Sequence, residues 1–392
     1  MLFRSDQQDF YARAARRWGP VFKMSQFHQP VVCIADLQQG FDFMRSEAAS
    51  LAQVPRPWAG VIPGGYVEFM DGRHHEHYRE ILRRGLSGSV ITASKGSIAA
   101  IIRQELSALA SGSSTDLVRS MNYMTSSSLL RVFFGLSPDS TETAFFQQQL
   151  AAIDRRLDFR FRVPRRLEAD VASLANAVRS LAAERHETLS ALSELVRTSP
   201  EVLEDETVVR NLIFMVHNAR KSLAGMLRWL AKLSCDHPRW IPELRREHDA
   251  GGDAVATRFT NELFRLWQSE YLYRRTLHEC RIGEFRIPKG WLVRVCVREA
   301  HGREDVFPNP AAFDPARFAE RSYNRNEYAP FSDGPHACFG AALTFTVARI
   351  FLHEMAAGFD AHTISDGPVE RENNHWVHWR PSADLRIALS AR

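Results

Sequence analysis

The stretch FSDGPHACFG, residues Phe331–Gly340, sets one of the chain's five cysteines, Cys338, among two glycines, a proline and a histidine. It stands immediately before the helical run AALTFTVARIFLHEMAAGF, residues 341–359. Glycines are used where a backbone must turn sharply or come close to another group. The amides of a helix's first turn favour a thiolate placed just ahead of them. The stretch therefore reads in two ways. It is a tight loop presenting a stabilised thiolate, or it holds a buried structural cysteine before a helix.

The chain has 392 residues, 45% hydrophobic and 24% charged, the composition of an ordinary globular protein. Length alone suggests two or three domains, and a core of this size can close over a large cofactor. A formal net charge of +4 is too mild to argue for nucleic acid. The cysteines Cys33, Cys235, Cys280, Cys296 and Cys338 are odd in number and widely spaced, with no CxxC. That spacing argues against a disulfide framework and a zinc site, and fits a reducing cytoplasm. The N-terminal MLFRSDQQDFYARAARRWGP has no apolar run, so neither a signal peptide nor a membrane anchor is expected.

Apolar residues recur at helical spacing through ASKGSIAAIIRQELSALA (93–110), SMNYMTSSSLLRVFFGL (120–136), LEADVASLANAVRSLAAERHETLSALSELV (167–196) and DETVVRNLIFMVHNARKSLAGMLRWLAKL (205–233). Strand-like runs are few and short: VFKMS, PVVCIA, EFRIP, WLVRVCV and a C-terminal LRIAL. There is no repeat, no low-complexity linker and no Gly-rich phosphate loop. The expected architecture is mainly α with small β-sheets, one large helical domain over residues 1–392.

Two further segments carry chemistry. In NELFR, Glu262 and Arg265 are three apart on one helix face. Alone they read as a surface ion pair worth little. In DGRHHEHYREILRRGLS, His75 and Arg79 share a face. They suit a solvated basic surface or a clamp for an anionic group such as a carboxylate.

With FSDGPHACFG, in this order, these segments resemble the cytochrome P450 family of haem-thiolate monooxygenases over nearly the whole chain. FSDGPHACFG matches that family's F-x-x-G-x-x-x-C-x-G at every fixed position, NELFR its Glu-x-x-Arg helix, and FPNPAAFDPARF its F-x-P-x-x-F-x-P-x-R-F segment. WGPVFKMSQFHQPVVCIAD looks like its N-terminal hairpin. The resemblance implies the single-domain cytochrome P450 fold and heme b (iron protoporphyrin IX). It makes Cys338 the axial ligand in a loop bounded by Phe331 and Gly340. It places His75, Arg79, Arg275 and His336 at the haem propionates, and Arg317 with Glu262 and Arg265 in a buried network behind the cysteine loop.

The long central helix departs from the family pattern. Relatives carry Ala/Gly-Gly-x-Asp/Glu-Thr over the iron, where acid and alcohol relay protons. Trp229 and His237-Pro238 fix the register. Asn218 and Ala219 then take the small-residue pair, Lys221 the acid and Ser222 the alcohol. A charged lysine has donors and no acceptor, so it cannot stand in directly for a carboxylate. Water, another side chain or the substrate would relay protons instead, or the enzyme uses peroxide or oxidises without inserting oxygen. Arg220 and Lys221 either hold an anionic substrate or point away from the haem into salt bridges; we expect Lys221 to turn away while Asn218 and Ser222 face the pocket.

Phe214, His217 and Asn218 are expected to join them in the substrate pocket, with Trp58, His378 and Trp379. His217 and Asn218 suggest either a polar substrate or polar groups bonded within their own helix. RRLDFRFRVPRR, Arg155–Arg166, falls where relatives cover the substrate channel. Its six arginines make a solvated basic loop, or receive an anionic or carrier-protein-bound substrate.

The reading is a bacterial haem-thiolate oxidase, cytoplasmic, acting on a small polar natural product, with no nucleic acid and no membrane. Electrons would come from a ferredoxin and ferredoxin reductase, received near Arg83 and Arg84. The rivals are a peroxygenase or oxygen-independent haem enzyme, and a non-catalytic haem sensor or carrier-binding scaffold.

Overall fold

A computed structural model of the chain describes residues 10–26, 28–112, 116–157, 165–184, 188–268, 271–371 and 379–392. Helix α1 (Phe10–Trp18) leads to strands β1 (Val21–Gln26) and β2 (Gln29–Ile34), helix α2 (Leu37–Ser46) and strand β3 (Leu51–Ala52). Next come α3 (Gly72–Gly85), α4 (Gly88–Ala110), α5 (Leu117–Phe134), α6 (Thr141–Leu157), α7 (Arg165–Glu184) and α8 (Ala191–Thr198). The 31-residue α9 (Glu206–Asp236), α10 (Ile241–Asp249) and α11 (Ala254–Leu263) follow. Strands β4 (Leu272–Thr276), β5 (Cys280–Ile282), β6 (Phe285–Ile287) and β7 (Leu292–Val295) precede α12 (Val297–Ala300), α13 (Arg317–Glu320) and α14 (Ala341–Gly358). The chain closes with β8 (Phe359–Ser365), β9 (Glu370–Arg371), β10 (Trp379–Arg380) and β11 (Arg386–Ala391). It is mostly helical with small sheets, as its periodicity predicts.

Two compact units form. Of the described residues, the first comprises those within 10–55 and 261–338; the second comprises those within 56–260, 339–371 and 379–392.

In the first unit one sheet runs β1-β2-β7-β4-β3, with β2 and β7 parallel and its other pairs antiparallel. The run Val31-Val32-Cys33-Ile34 is buried on both faces, as strand alternation demands of an interior strand. Val31 and Cys33 pack with Tyr11 and Phe22, whereas Val32 and Ile34 pack with Phe43, Leu51 and Val293. PVVCIA and WLVRVCV thus pair although some 260 residues separate them along the chain.

The second unit is a helical bundle in which α9 packs on α5, and α4 lies between α5 and α14. Asp205 caps α9, its carboxylate accepting from the Thr207 amide at 2.8 Å. From Thr207 to His217 every residue of α9 is buried, so the helix runs through the interior rather than along a surface. The periodic run 167–196 is not one helix: residues 188–190 leave it, and Ser190 opens α8 with a reciprocal capping box to Ser193. Gly85 lets α3 approach α8; a Cβ there would lie 2.8 Å from Leu195 Cγ. Among the described residues no single helix is long and apolar enough to cross a membrane.

Candidate active site

In the first unit the loop ahead of α14 is turned by Ser332 (φ 65°) and Gly334 (φ 68°), both in the left-handed region. It closes on itself, with the Cys338 amide donating to Phe331 O at 2.9 Å and the Ala337 amide to Gly334 O at 3.1 Å. The side chain of Cys338 is left exposed. The loop reading therefore holds over that of a cysteine packed into a core. His336 stands in the single 3-10 turn Gly334–His336, half-buried.

Behind the loop lies a buried ionic network. Glu262 and Arg265 are 0% and 1% exposed and pair through two bonds of 2.7 and 2.8 Å. Arg317 donates to Glu262 Oε1 at 3.1 Å, and the Asp314 amide reaches the same oxygen at 3.0 Å. Other guanidinium hydrogens meet main-chain oxygens: Arg265 donates to His301 and Ala312, Arg317 to Pro308. These bonds help two arginines and one carboxylate to be tolerated out of water. The surface-pair reading of NELFR is thus replaced by the buried one. Arg265 also falls inside a π-helical turn, Phe264–Gln268, that ends α11.

The sequence gives no sign of His301. It is fully buried, and its Nε2 accepts the Ala329 amide at 3.0 Å. Nε2 is therefore the bare nitrogen, and Nδ1 carries the hydrogen. Burial, and then the nearby Arg265 charge, lower its pKa to about 3. Phe264 meets Phe331 edge-on with ring centroids 5.0 Å apart, and Tyr328 donates to the Asn261 carbonyl at 2.8 Å. The network thus grips the segment Tyr328–Phe331 that leads into the cysteine loop.

Arg275, on β4, donates to Gly290 O at 3.0 Å and to Gln29 Oε1 at 3.4 Å.

In the second unit, α3 presents His75 and Arg79. The stretch Asp71–His77 is exposed except for His75, which is 2% exposed. The Arg79 guanidinium lies over the ring of Phe339, the residue after Cys338, at 4.3 Å from its centroid. Arg83 and Arg84 are exposed, Arg84 paired with Glu80.

Halfway along α9 the burial lapses. Residues 218–222 and Gly225 are half-exposed between fully buried stretches. Asn218, Ser222 and Gly225, at i, i+4 and i+7, share one stripe, with Ala219 at its edge. His217, Arg220 and Lys221 point elsewhere, and all three reach Asp154 of α6. Arg220 Nη2 is 2.6 Å, Lys221 Nζ 3.2 Å and His217 Nδ1 3.5 Å from its carboxylate. Burial alone would raise the pKa of Asp154, but the charges of Arg220 and Lys221 leave it below the ordinary carboxylate value. Burial drives His217 to about 3, so its ring is neutral.

His217 stands edge-on to Phe214, and Phe214 lies flat on Trp58, 4.7 Å apart with planes 2° from parallel. These three expected pocket residues are therefore together. Trp379 is buried near the other end of α9, its carbonyl accepting from Trp229 Nε1 at 2.8 Å. His378 lies outside the described residues, as does most of the arginine-rich segment (158–164). Of its described part, Arg156 pairs with Asp170.

Comparison with known proteins points the same way. The family model for cytochrome P450 matches residues 255–386, which hold both the Glu262–Arg265–Arg317 network and the cysteine loop. The chain is similar to cytochrome P450 proteins in the sequence of that segment. The fold agrees: a retinoic-acid-bound cyanobacterial cytochrome P450 superposes with a TM-score of 0.81 at 19% identity, covering 99% of this chain and 95% of its own. A zebrafish cytochrome P450 with abiraterone gives 0.75 at 16% identity, covering 97% and 98%. Among curated proteins, abscisic acid 8'-hydroxylase 3 of Oryza sativa subsp. indica is 23% identical over 91% of this chain and 78% of its own. Abscisic acid 8'-hydroxylase 2 of Arabidopsis thaliana is 23% identical over 93% and 82%. Putative cytochrome P450 138 of Mycobacterium bovis is 22% identical over 100% and 94%.

The likeness supports a haem-thiolate oxidoreductase of the monooxygenase type; proteins of that family work with haem iron and with redox partners. The donor set fits haem. Among the described residues no three His, Cys, Asp or Glu side chains are grouped to hold a metal. An exposed thiol on a loop closed by its own amide hydrogen bonds suits an iron that brings its other ligands with it.

Proposed function

We propose that the chain, as one domain over residues 1–392, is a bacterial monooxygenase that binds heme b through Cys338 and oxidises a small, polar natural product in the cytoplasm. The exposed Cys338 thiol, on a loop anchored by a fully buried Glu262–Arg265–Arg317 network, carries this reading. Bound there, haem iron supplies dioxygen activation, with the thiolate donating electron density. His75, Arg79, Arg275 and His336 would meet the two propionates. Phe331 and Gly340 bound the loop that would hold the group. Asn218, Ala219 and Ser222 would line the oxygen side, and Phe214, Trp58, His217 and Trp379 would wall the substrate. The Ser222 hydroxyl can accept and pass a proton at Oγ. The neutral, buried His217 excludes water and charge from the same wall.

Electrons would come from a ferredoxin and its reductase, drawn to the exposed Arg83 and Arg84. A peroxide-using enzyme that grips an anionic substrate needs a free cation over the ring. The engagement of Arg220 and Lys221 with Asp154 favours the monooxygenase instead. The test is haem-loaded protein supplied with NADPH, ferredoxin and reductase, against hydrogen peroxide alone, while polar candidate compounds are screened for a shift of the haem spectrum. Product with the electron-transfer pair supports the proposal; product with peroxide only contradicts it.

A further inference from the structure

The main chain of residues 61–67 is fastened to α9. Asn211 is 0% exposed, and both ends of its carboxamide bond to that segment. Its Oδ1 accepts the Val67 amide at 2.8 Å, and its Nδ2 donates to Gly65 O at 3.0 Å and to Thr207 O at 2.8 Å. An N–H on one side and carbonyls on the other fix which way round the carboxamide sits. One turn earlier on the helix, Thr207 lies so close to Gly64 that a Cβ there would stand 2.7 Å from Thr207 Cγ2. Gly65 then turns the chain in the left-handed region (φ 87°). Arg210, paired with Glu168 and Glu206, donates to Val61 O.

Thr207, Asn211, Phe214, Asn218 and Ser222 stand at i, i+4, i+7, i+11 and i+15, so they share one face of α9. That face runs from the fastened segment, past the Phe214–Trp58 stack, to the half-exposed stripe of Asn218 and Ser222. Trp58 also meets Tyr66 and Phe69, with centroids 5.2 and 6.0 Å away. Tyr66 lies between the two residues that Asn211 bonds, so a slip there reaches Trp58 by ring contact. We infer that Asn211 is a positioning residue for specificity: it fixes the register of residues 61–67 on α9, and through Tyr66 it fixes where Trp58 rests on Phe214. The resting place of Trp58 sets how far a compound lying over Asn218 and Ser222 can extend along the helix. Asn211 is fully buried and touches no substrate itself. An apolar side chain in its place would strand the Val67 amide and the Gly65 carbonyl out of water, and the segment would shift to recover partners.

This inference rests on the haem reading, and its test keeps the two apart. In haem-loaded protein, imidazole reports access to the iron and 4-phenylimidazole adds one ring, each read by the shift of the haem spectrum. Asn211→Leu, similar in size but without the bonds, should weaken 4-phenylimidazole about tenfold relative to imidazole. Trp58→Ala should do the same. The double variant should lose no more than Trp58→Ala alone, because Asn211 acts through Trp58. Asn211→Asp keeps the acceptor for Val67 and should fall between, and it serves where Asn211→Leu folds poorly. As a second readout, amide hydrogen exchange followed by mass spectrometry should quicken in residues 61–67 of Asn211→Leu and stay slow in Trp58→Ala. Unchanged exchange in Asn211→Leu would remove the fastening and overturn the inference. Unchanged selectivity between the two azoles, or a double variant that loses the product of the single losses, would leave Asn211 merely structural and overturn it as well. No spectral shift with either azole in the unaltered protein would instead refute the haem reading, with hydrogen exchange still deciding the fastening.

Discussion

His301 Nε2 accepts the amide hydrogen of Ala329 at 3.0 Å, while the His301 carbonyl accepts from Arg265 at 3.1 Å. One buried residue therefore joins the ionic network to the strand of chain that enters the cysteine loop. Removing the imidazole strands the Ala329 amide out of water and leaves a cavity beside Phe307 and Tyr328. The stranded amide alone costs about 1–3 kcal/mol. His301→Ala should lower urea stability by at least that much and reduce haem content, whereas His301→Gln, which keeps an acceptor, should lose less. The check is denaturation with haem quantified by absorbance.

Glu262 pairs with both Arg265 and Arg317 in this network. Breaking a buried pair from one side leaves charge uncompensated, at about 3–5 kcal/mol. Glu262→Ala should therefore give little folded, haem-loaded protein. Normal yield and haem content would contradict the buried network.

His217 and His301 both have folded pKa values near 3 against an ordinary 6.5. Below about 6.5 the unfolded chain binds protons at these positions that the folded chain does not. Their contribution to stability is complete above that pH and is lost as pH falls from about 6.5 toward about 3. Urea midpoints should drop between pH 7 and pH 5, and His301→Gln should flatten the slope. A midpoint that rises on acidification over that range would contradict the assignment of both rings as neutral.

Ser222 shares the half-exposed stripe with Asn218, while Lys221 turns to α6. Lys221→Met should leave the haem spectrum and its response to compounds nearly unchanged. A large loss of compound binding would put the lysine in the pocket. Ser222→Ala should lower the ratio of product to NADPH consumed several-fold, because general acid–base groups contribute about 10²–10⁴.

Much of this was legible from local pattern. The Cys338 loop, the three-residue spacing of Glu262 and Arg265, and the hairpin VFKMS–PVVCIA are encoded within a few residues of themselves, so sequence alone places them. Asp154 and His301 are not. Asp154 reads as an ordinary polar position of an amphipathic helix, and only the packing of α6 on α9 gives it partners. His301 sits in a short connection whose burial depends on Tyr328 and Phe307 closing over it. The strands β3, β5, β9 and β10 have two or three residues each, too short to show a period. The run 167–196 keeps a helical period across a real break, because α7 and α8 each bury an apolar face.

The most direct measurement is the carbon monoxide difference spectrum of reduced, haem-loaded protein, compared with Cys338→Ala. The account predicts the long-wavelength band diagnostic of thiolate ligation in the unaltered protein and its loss in the variant. Retention of that band in Cys338→Ala, or its absence from the unaltered protein, would contradict the assignment of Cys338 as the axial ligand.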